Sequence, residues 1–355
     1  MLAAEPPVKG STRSCSSESA GDTRVDQTTD WPSSLARRLL AGAAASRNEL
    51  LAVVDAPRRQ LGALLAATRR VREAHFGRDV RLQVLVNARS GQCGQDCGYC
   101  AQRKTERGVE RPDVVRYPLL DAAALARGAV TARELGADRY CIVTSGRQLP
   151  RRAFERLLDS LQHVREASDI PLCLSIGELD DERASAVRQS GARWINHNLN
   201  TSARYYPSLC STHTQADRVA TLRAAGRQRL SRCSGVIIGV GETNADLVDV
   251  ALSLRELDVD AIPVNFYCSI PHTPLAGRTP RLTLERCLKA LCLFRLANPT
   301  KQIRLSAGRE RHLGDAQPLA LGAVDSLFAG GYLSVGGENY ESTCRMVRAA
   351  GYRVV

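Results

Sequence analysis

Three cysteines stand close together in one short stretch of the chain. Cys93, Cys97 and Cys100 have three and two residues between them. One loop can turn three such thiolates onto three irons of a single [4Fe–4S] cluster, which leaves the fourth iron open to another molecule. The alternatives are a zinc knuckle or a disulfide pair, but zinc usually takes four ligands in paired Cys or Cys/His units, and no nearby histidine supplies the fourth. The spacing therefore favours an iron–sulfur cluster over zinc.

Three further cysteines and one arginine fall in apolar stretches elsewhere. Cys141, Cys173 and Cys233 lie in or at the start of such runs, and Arg304 lies in another. Taken alone, each cysteine is more simply a small buried apolar residue than a ligand. For Arg304 the alternative is a salt bridge to a buried acid or to a substrate carboxylate. If all four side chains converge, they form a second metal site.

The elements that would position these residues predict an α/β fold, a (β/α)8 TIM-type barrel. Short apolar runs alternate with amphipathic helical stretches, and Gly136, Gly191 and Gly322 each precede an alanine and the next strand. Glycine is preferred where a helix ends in the left-handed conformation. Eight strands alternating with helices over about 250 residues suit such a barrel; an open doubly wound sheet is the alternative. The predicted strands are Leu82–Ala88, Arg139–Thr144, Leu172–Gly177, Arg193–Asn198, Cys233–Ile238, Ala261–Tyr267, Ile303–Ser306 and Ser326–Ala329.

The chain divides into three predicted parts. Residues 1–30, rich in Ser, Thr, Pro, Gly and charge, predict a disordered tail. Helical patterns around Ser34–Ala43 and Arg47–His75 predict an N-terminal helical extension over residues 31–81. Residues 82–355 then form the barrel, whose active site is expected at the carboxyl ends of the strands.

Composition argues against several classes of protein. No apolar run approaches the ~20 residues of a membrane helix, and residues 1–30 lack the apolar core of a signal peptide. The net charge of +12 is spread along the chain and only 5% of residues are aromatic, so neither a basic patch nor a stacking platform for nucleic acid is evident. Twelve cysteines in a chain of this length fit metal ligation in a reducing compartment better than a disulfide framework. We therefore expect a cytoplasmic protein whose partners include neither nucleic acid nor a membrane.

With Tyr99 placed before the third cysteine, the loop resembles the signature loop of the radical S-adenosylmethionine (SAM) enzymes, whose open iron binds SAM. From about Leu82 to the C-terminus the chain resembles the biotin synthase family within that superfamily. The family is a (β/α)8 barrel, commonly a homodimer, that inserts sulfur into dethiobiotin to form biotin. Six stretches that follow the loop in order carry the resemblance: Tyr140–Arg147, Asn196–Ser202, Cys233–Gly235, Ile262–Phe266, Thr273–Gly277 and Arg304–Glu310.

The resemblance implies two iron–sulfur centres. The first is the SAM-binding [4Fe–4S] cluster, with ligands Cys93, Cys97 and Cys100. The second is an auxiliary [2Fe–2S] cluster that donates sulfur, with ligands Cys141, Cys173, Cys233 and Arg304. A guanidinium is normally a cation without an acceptor, so ligation by arginine requires deprotonation or a very weak bond. The family also implies an electron donor such as flavodoxin or ferredoxin.

The resemblance further implies residues that hold SAM and the substrate. The residues expected to contact SAM are Asn198, Asn200, Gly235, Ile237, Gly239 and Glu242. Asn196 and Asn265 are expected at the dethiobiotin ureido group, since an amide side chain offers both donors and acceptors.

The chain departs from the family pattern at three places. Gly94 and Gln95 stand where the family usually has proline and an acid, and Asn200 stands where many members have aspartate. The basic turn Arg227–Arg232 is slightly long, and its simplest interpretation is a solvated surface loop. None of these departures removes a predicted ligand.

Two other functions fit parts of the pattern. Another radical SAM barrel enzyme, such as a hydrogenase-cofactor maturase or a carbon-skeleton mutase, shares the three-cysteine loop but need not carry the second set of four residues. A zinc- or nucleic-acid-binding protein is the alternative outside the enzymes.

Overall fold

The computed structural model describes residues 30–91, 93–105, 110–278, 282–332 and 336–355. The predicted disordered tail lies outside the described residues, apart from Asp30. Three helices precede the first strand: α1 Trp31–Leu40, α2 Arg47–Asp55 and α3 Leu61–Phe76. The pattern over Arg47–His75 is thus two helices, because Pro57 lacks a backbone N–H and holds Ala56 in an extended conformation.

Parallel strands close into a barrel, as the sequence predicted. The strands are β1 Asp79–Arg89, β2 Arg139–Thr144, β3 Leu172–Ser175, β4 Trp194–Asn196, β5 Ser231–Cys233, β6 Val236–Ile238, β7 Ala261–Phe266, β8 Gln302–Leu305 and β9 Ser326–Phe328. Each pairs with its neighbour, and β9 pairs back with β1 to close the ring. Because β5 and β6 both pair with β7 and share one position, the ring has eight positions. The open doubly wound sheet is therefore excluded.

Helices alternate with these strands around the barrel. They are α4 Ala122–Glu134, α5 Arg151–Ala167, α6 Asp181–Gln189, α7 Gln215–Arg227, α8 Asn244–Glu256, α9 Leu284–Ala297, α10 Arg309–Leu313, α11 Gln317–Ala320 and α12 Tyr340–Ala349. Gly136 and Gly191 have φ of 80° and 89°, as expected for glycines that end helices. Gly322 does not have a positive φ, so that part of the prediction is wrong. A last strand, β10 Arg353–Val354, pairs with the outer end of β1.

The fifth strand is interrupted, although the sequence predicted it as continuous. Ser234 and Gly235 separate β5 from β6. A Cβ atom at Gly235 would lie 1.8 Å from the carbonyl oxygen of Pro263 on β7. Only glycine allows the two backbones to approach so closely, and the interruption lies at the carboxyl half of the barrel.

The amino end of the barrel is closed by buried polar contacts. Arg295 of α9 pairs with Asp325, which immediately precedes β9, and both side chains are fully buried. The same carboxylate accepts the Ile303 N–H at 2.9 Å. Helices α2 and α3 pack on α9 from outside, and Arg72 of α3 donates to the Val324 carbonyl at 3.0 Å. The N-terminal helices are therefore part of the barrel's outer layer.

The basic turn after α7 is only partly solvated. Arg227 forms an exposed ion pair with Asp181 at 2.8 Å. Arg232 instead lies against the end of α8, where it donates to the carbonyls of Leu257 and Asp258, each at 2.8 Å. The interpretation as a simple surface loop is therefore wrong for Arg232.

Among the described residues, none of the helices is both long enough and apolar enough to cross a membrane.

Candidate active site

A cavity of about 380 Å³ opens at the carboxyl ends of the strands. Its wall is formed by strand residues of the barrel and by the loops that follow β1, β2, β3, β4, β7, β8 and β9. Nine of the predicted site residues lie on this wall: Cys93, Cys97, Cys100, Cys141, Asn196, Asn198, Asn200, Ile237 and Asn265. Residues from distant parts of the chain therefore share one cavity.

The loop after β1, which carries the first three cysteines, is held by the segment before α7. The Gly98 N–H donates to the Leu209 carbonyl at 2.8 Å. The Asp96 carboxylate accepts the N–H groups of Ser211 and Thr212 at 3.1 and 3.2 Å. Burial alone would raise the pKa of Asp96, but hydrogen bonds from Cys210, Ser211 and Thr212 hold it well below its usual range. The segment itself is fixed at the N-terminus of α7 by the reciprocal cap between Thr214 and Asp217.

Two thiols of this loop, Cys97 and Cys100, are difficult to ionise without a nearby cation. Burial raises the pKa of Cys100 to about 11. A hydrogen bond with Cys210, followed by burial, raises the pKa of Cys97 much further. A bound metal reverses this balance, because its positive charge favours the thiolate. With Cys93, three thiols lie on the cavity wall and fit an iron–sulfur cluster, since Cys is the preferred ligand of such clusters.

A second group of sulfurs lies deeper in the barrel, and of these Cys141 also reaches the cavity wall. Cys141 and Cys173 are register partners on β2 and β3, and both are buried. Cys233 of β5 is fully buried and accepts hydrogen bonds from Arg304 Nη1 at 3.4 Å and from Asn196 Nδ2 at 3.3 Å. The hydrogen bond between the Cys141 and Cys173 thiols lowers the pKa of Cys141 and raises that of Cys173. The four residues of the predicted second centre therefore converge within the barrel.

Arg304 lies among these sulfurs as a cation. Burial would lower its pKa, but the negative potential of Cys233, Cys141 and Cys173 raises it above the usual value. Its remaining donors point to the Gln302 amide oxygen at 2.8 Å and the Ser326 hydroxyl at 3.3 Å. Within the described part of the chain, no carboxylate pairs with it. The salt bridge to a buried acid that the sequence left open is therefore wrong.

A second arginine, which the sequence analysis missed, lies beside the same sulfurs. Arg139 begins β2 and is 5% exposed, with its guanidinium 3.5 Å from the centre of the Trp194 ring. Its Nε and Nη1 groups are buried and have no hydrogen-bond partner among the described residues. Unpaired buried donors are costly, and donors of this kind suit the sulfide of an iron–sulfur cluster. The residues present thus fit a [2Fe–2S] group.

Amides on the cavity wall are fixed by contacts with the backbone and with the cluster loop. Asn198 Oδ1 accepts the Gly235 N–H at 3.0 Å, and Asn265 Nδ2 donates to the Val236 carbonyl at 3.0 Å. Asn200 has a φ of 67°, which asparagine tolerates better than most residues. Its Nδ2 donates to the Tyr99 hydroxyl at 2.8 Å. Asn200 therefore links the loop after β4 to the three-cysteine loop.

Gly235, Gly239 and Glu242 are not on the cavity wall. The Glu242 carboxylate accepts the N–H groups of Gly239 and Val240 at 2.9 and 2.8 Å, and it pairs with Arg286 at 3.0 Å. The Glu242 side chain thus braces the turn before α8. The structure brings Ile237 of this stretch, and not its glycines or its acid, to the cavity.

Arg218 and His213 are cavity residues that the sequence analysis also missed. Arg218 Nη1 donates to the Asn198 carbonyl at 2.9 Å, and its Nη2 lies 2.8 Å from His213 Nε2. Burial opposes the charge of Arg218, but Tyr99 and Tyr206 raise its pKa. Neither residue belongs to a motif. The available signal was their position after the fourth strand, where barrel active sites are formed.

Comparison with known proteins gives a consistent result. Residues 88–254 match the Radical SAM superfamily, and residues 263–353 match the Biotin and Thiamin Synthesis associated domain. The chain is 40% identical to a biotin synthase of Geobacillus kaustophilus, over 90% of this chain and 95% of that protein. It is 42% identical to a biotin synthase of Frankia casuarinae, over 90% of this chain and 88% of that protein.

Solved structures share the fold at low sequence identity. A methylornithine synthase superposes with a TM-score of 0.77 at 20% identity, covering 90% of this chain and 97% of that one. The FeFe-hydrogenase maturase of Carboxydothermus hydrogenoformans gives a TM-score of 0.75 at 17% identity, covering 91% and 79%. At this identity the likeness concerns the barrel alone. The two domain matches and the relatives near 40% identity show that the chain belongs to the biotin synthase family of radical SAM enzymes.

Proposed function

We propose that the cavity binds SAM and dethiobiotin between two iron–sulfur centres, and that the chain thereby forms biotin. Radical SAM enzymes use SAM and a [4Fe–4S] cluster, and biotin synthases act on dethiobiotin. The observation that carries the proposal is the order of the two groups of sulfurs along the barrel axis. Three thiols lie on the cavity wall after β1, and three more lie below them inside the barrel with Arg304.

In this proposal Cys93, Cys97 and Cys100 hold the [4Fe–4S] cluster. The Asp96 carboxylate accepts the backbone N–H groups of Ser211 and Thr212, and this set of contacts, the Asp96 clasp, holds the loop in place. Arg218 gives this part of the wall a buried positive charge, which favours the carboxylate of SAM.

The second centre is a [2Fe–2S] cluster held by Cys141, Cys173 and Cys233, with Arg304 as its fourth neighbour. Arg304 contributes a nitrogen close to these sulfurs, with its Nη1 atom 3.4 Å from Cys233 Sγ. Together with Arg139, it offsets the negative charge of the thiolates in a buried place. When bound, the first cluster supplies an electron for SAM cleavage and the second supplies sulfur, so the cofactors carry the chemistry and need no side-chain acid or base.

The substrate is proposed to lie above the second centre. Asn196 touches Cys233 and also lies on the cavity wall, and Asn265 lies on the same wall two barrel positions away. Both amides are placed to hydrogen-bond a ureido group. Exclusion of water by the bound substrate would protect a reactive carbon centre from side reactions. We propose that Asn198, Asn200 and Ile237 contact SAM on the side of the cavity that carries the three-cysteine loop.

The resemblance also predicts a homodimer in the cytoplasm that takes electrons from a flavodoxin or ferredoxin. These three statements rest on the family alone. Light scattering of the purified protein tests the homodimer, and turnover with each donor tests the electron source.

The function is tested by growth rescue of a strain that lacks biotin synthase, together with analysis of the reconstituted protein. We expect about six irons per chain, from one [4Fe–4S] and one [2Fe–2S] cluster. Cys97→Ala should lose SAM cleavage, measured as 5′-deoxyadenosine, while Cys287→Ala should keep it. Cys287 is a matched control because it is a buried cysteine on α9, away from the cavity. About four irons, bound zinc, or normal SAM cleavage in Cys97→Ala would contradict the proposal.

A further inference from the structure

A fourth thiol lies against the cluster loop and has no role in the function proposed above. Cys210 is buried, and its Sγ lies 3.6 Å from the Sγ of Cys97. The two residues are far apart in the chain but belong to the two segments joined by the Asp96 clasp. The Gly98 N–H to Leu209 carbonyl bond also joins these segments, so their approach is fixed by the backbone as well as by the Asp96 carboxylate.

The surroundings of Cys210 hold it facing Cys97. The Asp96 Oδ1 atom lies 3.0 Å from its sulfur and the Thr212 hydroxyl lies 3.3 Å away. The Gly98 N–H to Leu209 carbonyl bond, at 2.8 Å, fixes the backbone next to it. The ring of Tyr206 covers the pair together with Tyr99. Both sulfurs are thus buried, and Cys97 lines the cavity.

The alternative is that this group binds a single metal ion, since the donor atoms of Cys97, Cys210 and His213 lie within 4.8 Å of one another. The contact between Arg218 and His213 argues against a metal site. A guanidinium only donates, so its contact at 2.8 Å makes His213 Nε2 the acceptor. The ring proton is then on Nδ1, which lies 3.1 Å from the Cys210 sulfur. That nitrogen is not free to bind a metal, and the group is better described as a pair of thiols beside a hydrogen-bond donor.

We propose that Cys97 and Cys210 form a disulfide in the cluster-free chain when a low-molecular-weight disulfide is present. One of the two protein thiols attacks the small disulfide, forming a mixed disulfide and releasing one small thiol. The other protein thiol then attacks that mixed disulfide and releases the second small thiol. The two protein thiols lose two electrons and two protons, and the small disulfide gains them.

This disulfide would control loading of the cluster. The consequence rests on the proposed function, in which Cys97 is one of three cluster ligands. A Cys97 held in a disulfide cannot bind iron, so the oxidised chain would accept the [4Fe–4S] cluster only after reduction by a thiol. The clasped loops would protect the ligand from further oxidation until then.

The first test maps the bond in the full-length, cluster-free protein. The protein is treated with hydroxyethyl disulfide, free thiols are blocked with an alkylating agent, and the digest is analysed by mass spectrometry. We expect the peptides of Cys97 and Cys210 to be linked, and the link to be removed by dithiothreitol. In Cys210→Ser we expect Cys97 to retain the mixed disulfide. A mixed disulfide on Cys97 in the unsubstituted protein, or a link from Cys97 to Cys93 or Cys100, would overturn the proposal.

The second test follows iron uptake, and it separates this proposal from the one on which it rests. After oxidation the unsubstituted protein should bind about four fewer irons than the reduced protein. Cys210→Ser should recover full uptake after mild thiol treatment that removes mixed disulfides but leaves the Cys97–Cys210 bond. Cys268→Ser, which removes another cavity thiol, should behave like the unsubstituted protein. A mapped disulfide with undiminished iron uptake would overturn the ligand role of Cys97 but not the disulfide.

Discussion

Arg304 is a cation among three thiols, and this determines how substitutions at the second centre should behave. Its side chain is fully buried and donates to Cys233, Gln302 and Ser326. Removing it deletes charge and hydrogen bonds but no thiolate. Removing Cys233 deletes a sulfur that touches both Arg304 and Asn196. The two residues are neighbours, yet their loss should have different consequences.

We predict that Cys233→Ala keeps SAM cleavage but makes no biotin, whereas Arg304→Met keeps iron at the second centre and some biotin formation. Three thiolates can still hold a [2Fe–2S] group when the fourth position is filled by water. Iron, sulfide, 5′-deoxyadenosine and biotin are measured per folded chain in both variants.

If both residues only pack the barrel, each substitution should lower stability by about 1–3 kcal/mol and leave iron content unchanged. Full iron and a normal rate of biotin formation in Cys233→Ala would show that the second centre is not at this place.

At the residue scale, the sequence was informative wherever a side chain is rare for its position. Cysteine and arginine on barrel strands are unusual, so Cys141, Cys173 and Arg304 could be found before their contacts were known. Arg139 also lies on a strand, but at its first residue, where a solvated arginine is common. Cys210 could not be found, because its meaning depends on its distance to Cys97 and no local pattern encodes that distance.

The interrupted fifth strand is the element that brings the second centre and the SAM side together. Cys233 ends β5 and Ile237 lies in β6. Gly235, between them, donates its backbone N–H to Asn198 Oδ1. The glycine allows the strand to pass within van der Waals contact of Pro263. The position of Ile237 on the cavity wall therefore depends on a residue that does not reach the cavity itself.

We predict that Gly235→Ala lowers stability by about 1–3 kcal/mol, because its Cβ would overlap the Pro263 carbonyl oxygen. The displaced strand should also weaken SAM binding, measured by equilibrium dialysis with the reconstituted protein. Gly62→Ala is the matched control, since nothing lies within 4 Å of a Cβ at that helical position. It should leave SAM binding unchanged and keep or slightly raise stability. Equal behaviour of the two variants would contradict the role of Gly235.

The start of α8 is held in place by hydrogen bonds to one buried carboxylate. The Asp246 carboxylate is fully buried and accepts from Ser202 and from both the N–H and the hydroxyl of Thr243. Arg204 completes the contact. One carboxylate thus caps the helix and ties it to the loop after β4, which carries Asn198 and Asn200.

We predict that Asp246 makes stability depend on acid pH. Burial would raise its pKa, but hydrogen bonds from Arg204, Ser202 and Thr243 hold it far below the usual value. A lowered folded-state pKa stabilises the protein above the unfolded-state pKa of about 3.9; this contribution begins to decrease below that pH and is lost as the pH falls through the folded-state pKa. Urea unfolding at pH 7, 4.5 and 3.5 should show a gap between the unsubstituted protein and Asp246→Asn that narrows at pH 3.5. A gap that does not change with pH would refute the assignment.

At the element scale, the alternation of strands and helices could be predicted because both have periodic apolar patterns. The strand β2 was predicted with the bounds that it has, and the other barrel positions were found with small shifts at their ends. The break at Ser234 and Gly235 was missed, since it arises from a neighbouring strand. The end of α2 was missed although Pro57 marks it, because the apolar spacing continues across the break.

In the molecule as a whole, the groups proposed to carry out the chemistry lie apart from many of the contacts that stabilise the fold. The cavity and both sulfur groups lie at the carboxyl ends or in the centre of the barrel. The buried pair of Arg295 and Asp325 lies at the amino end, where it joins α9 to β8 and β9. Barrels commonly divide these tasks between their two ends. Substitutions at the amino end should therefore reduce stability without affecting the clusters.

We predict that Asp325→Asn lowers the unfolding free energy by about 3–5 kcal/mol, because it leaves the Arg295 cation buried without its anionic partner. Iron content and SAM cleavage per folded chain should be unchanged, since neither residue lies on the cavity wall. Glu341→Gln is the matched control: its pair with Arg345 is exposed, with side-chain exposures of 82% and 63%, so its loss should cost less than about 1 kcal/mol. Denaturant unfolding, iron analysis and 5′-deoxyadenosine formation measure the three quantities. An Asp325→Asn protein as stable as the control variant would contradict the stabilising role of the buried pair. A variant that loses iron while still folded would show that the two ends of the barrel are not independent.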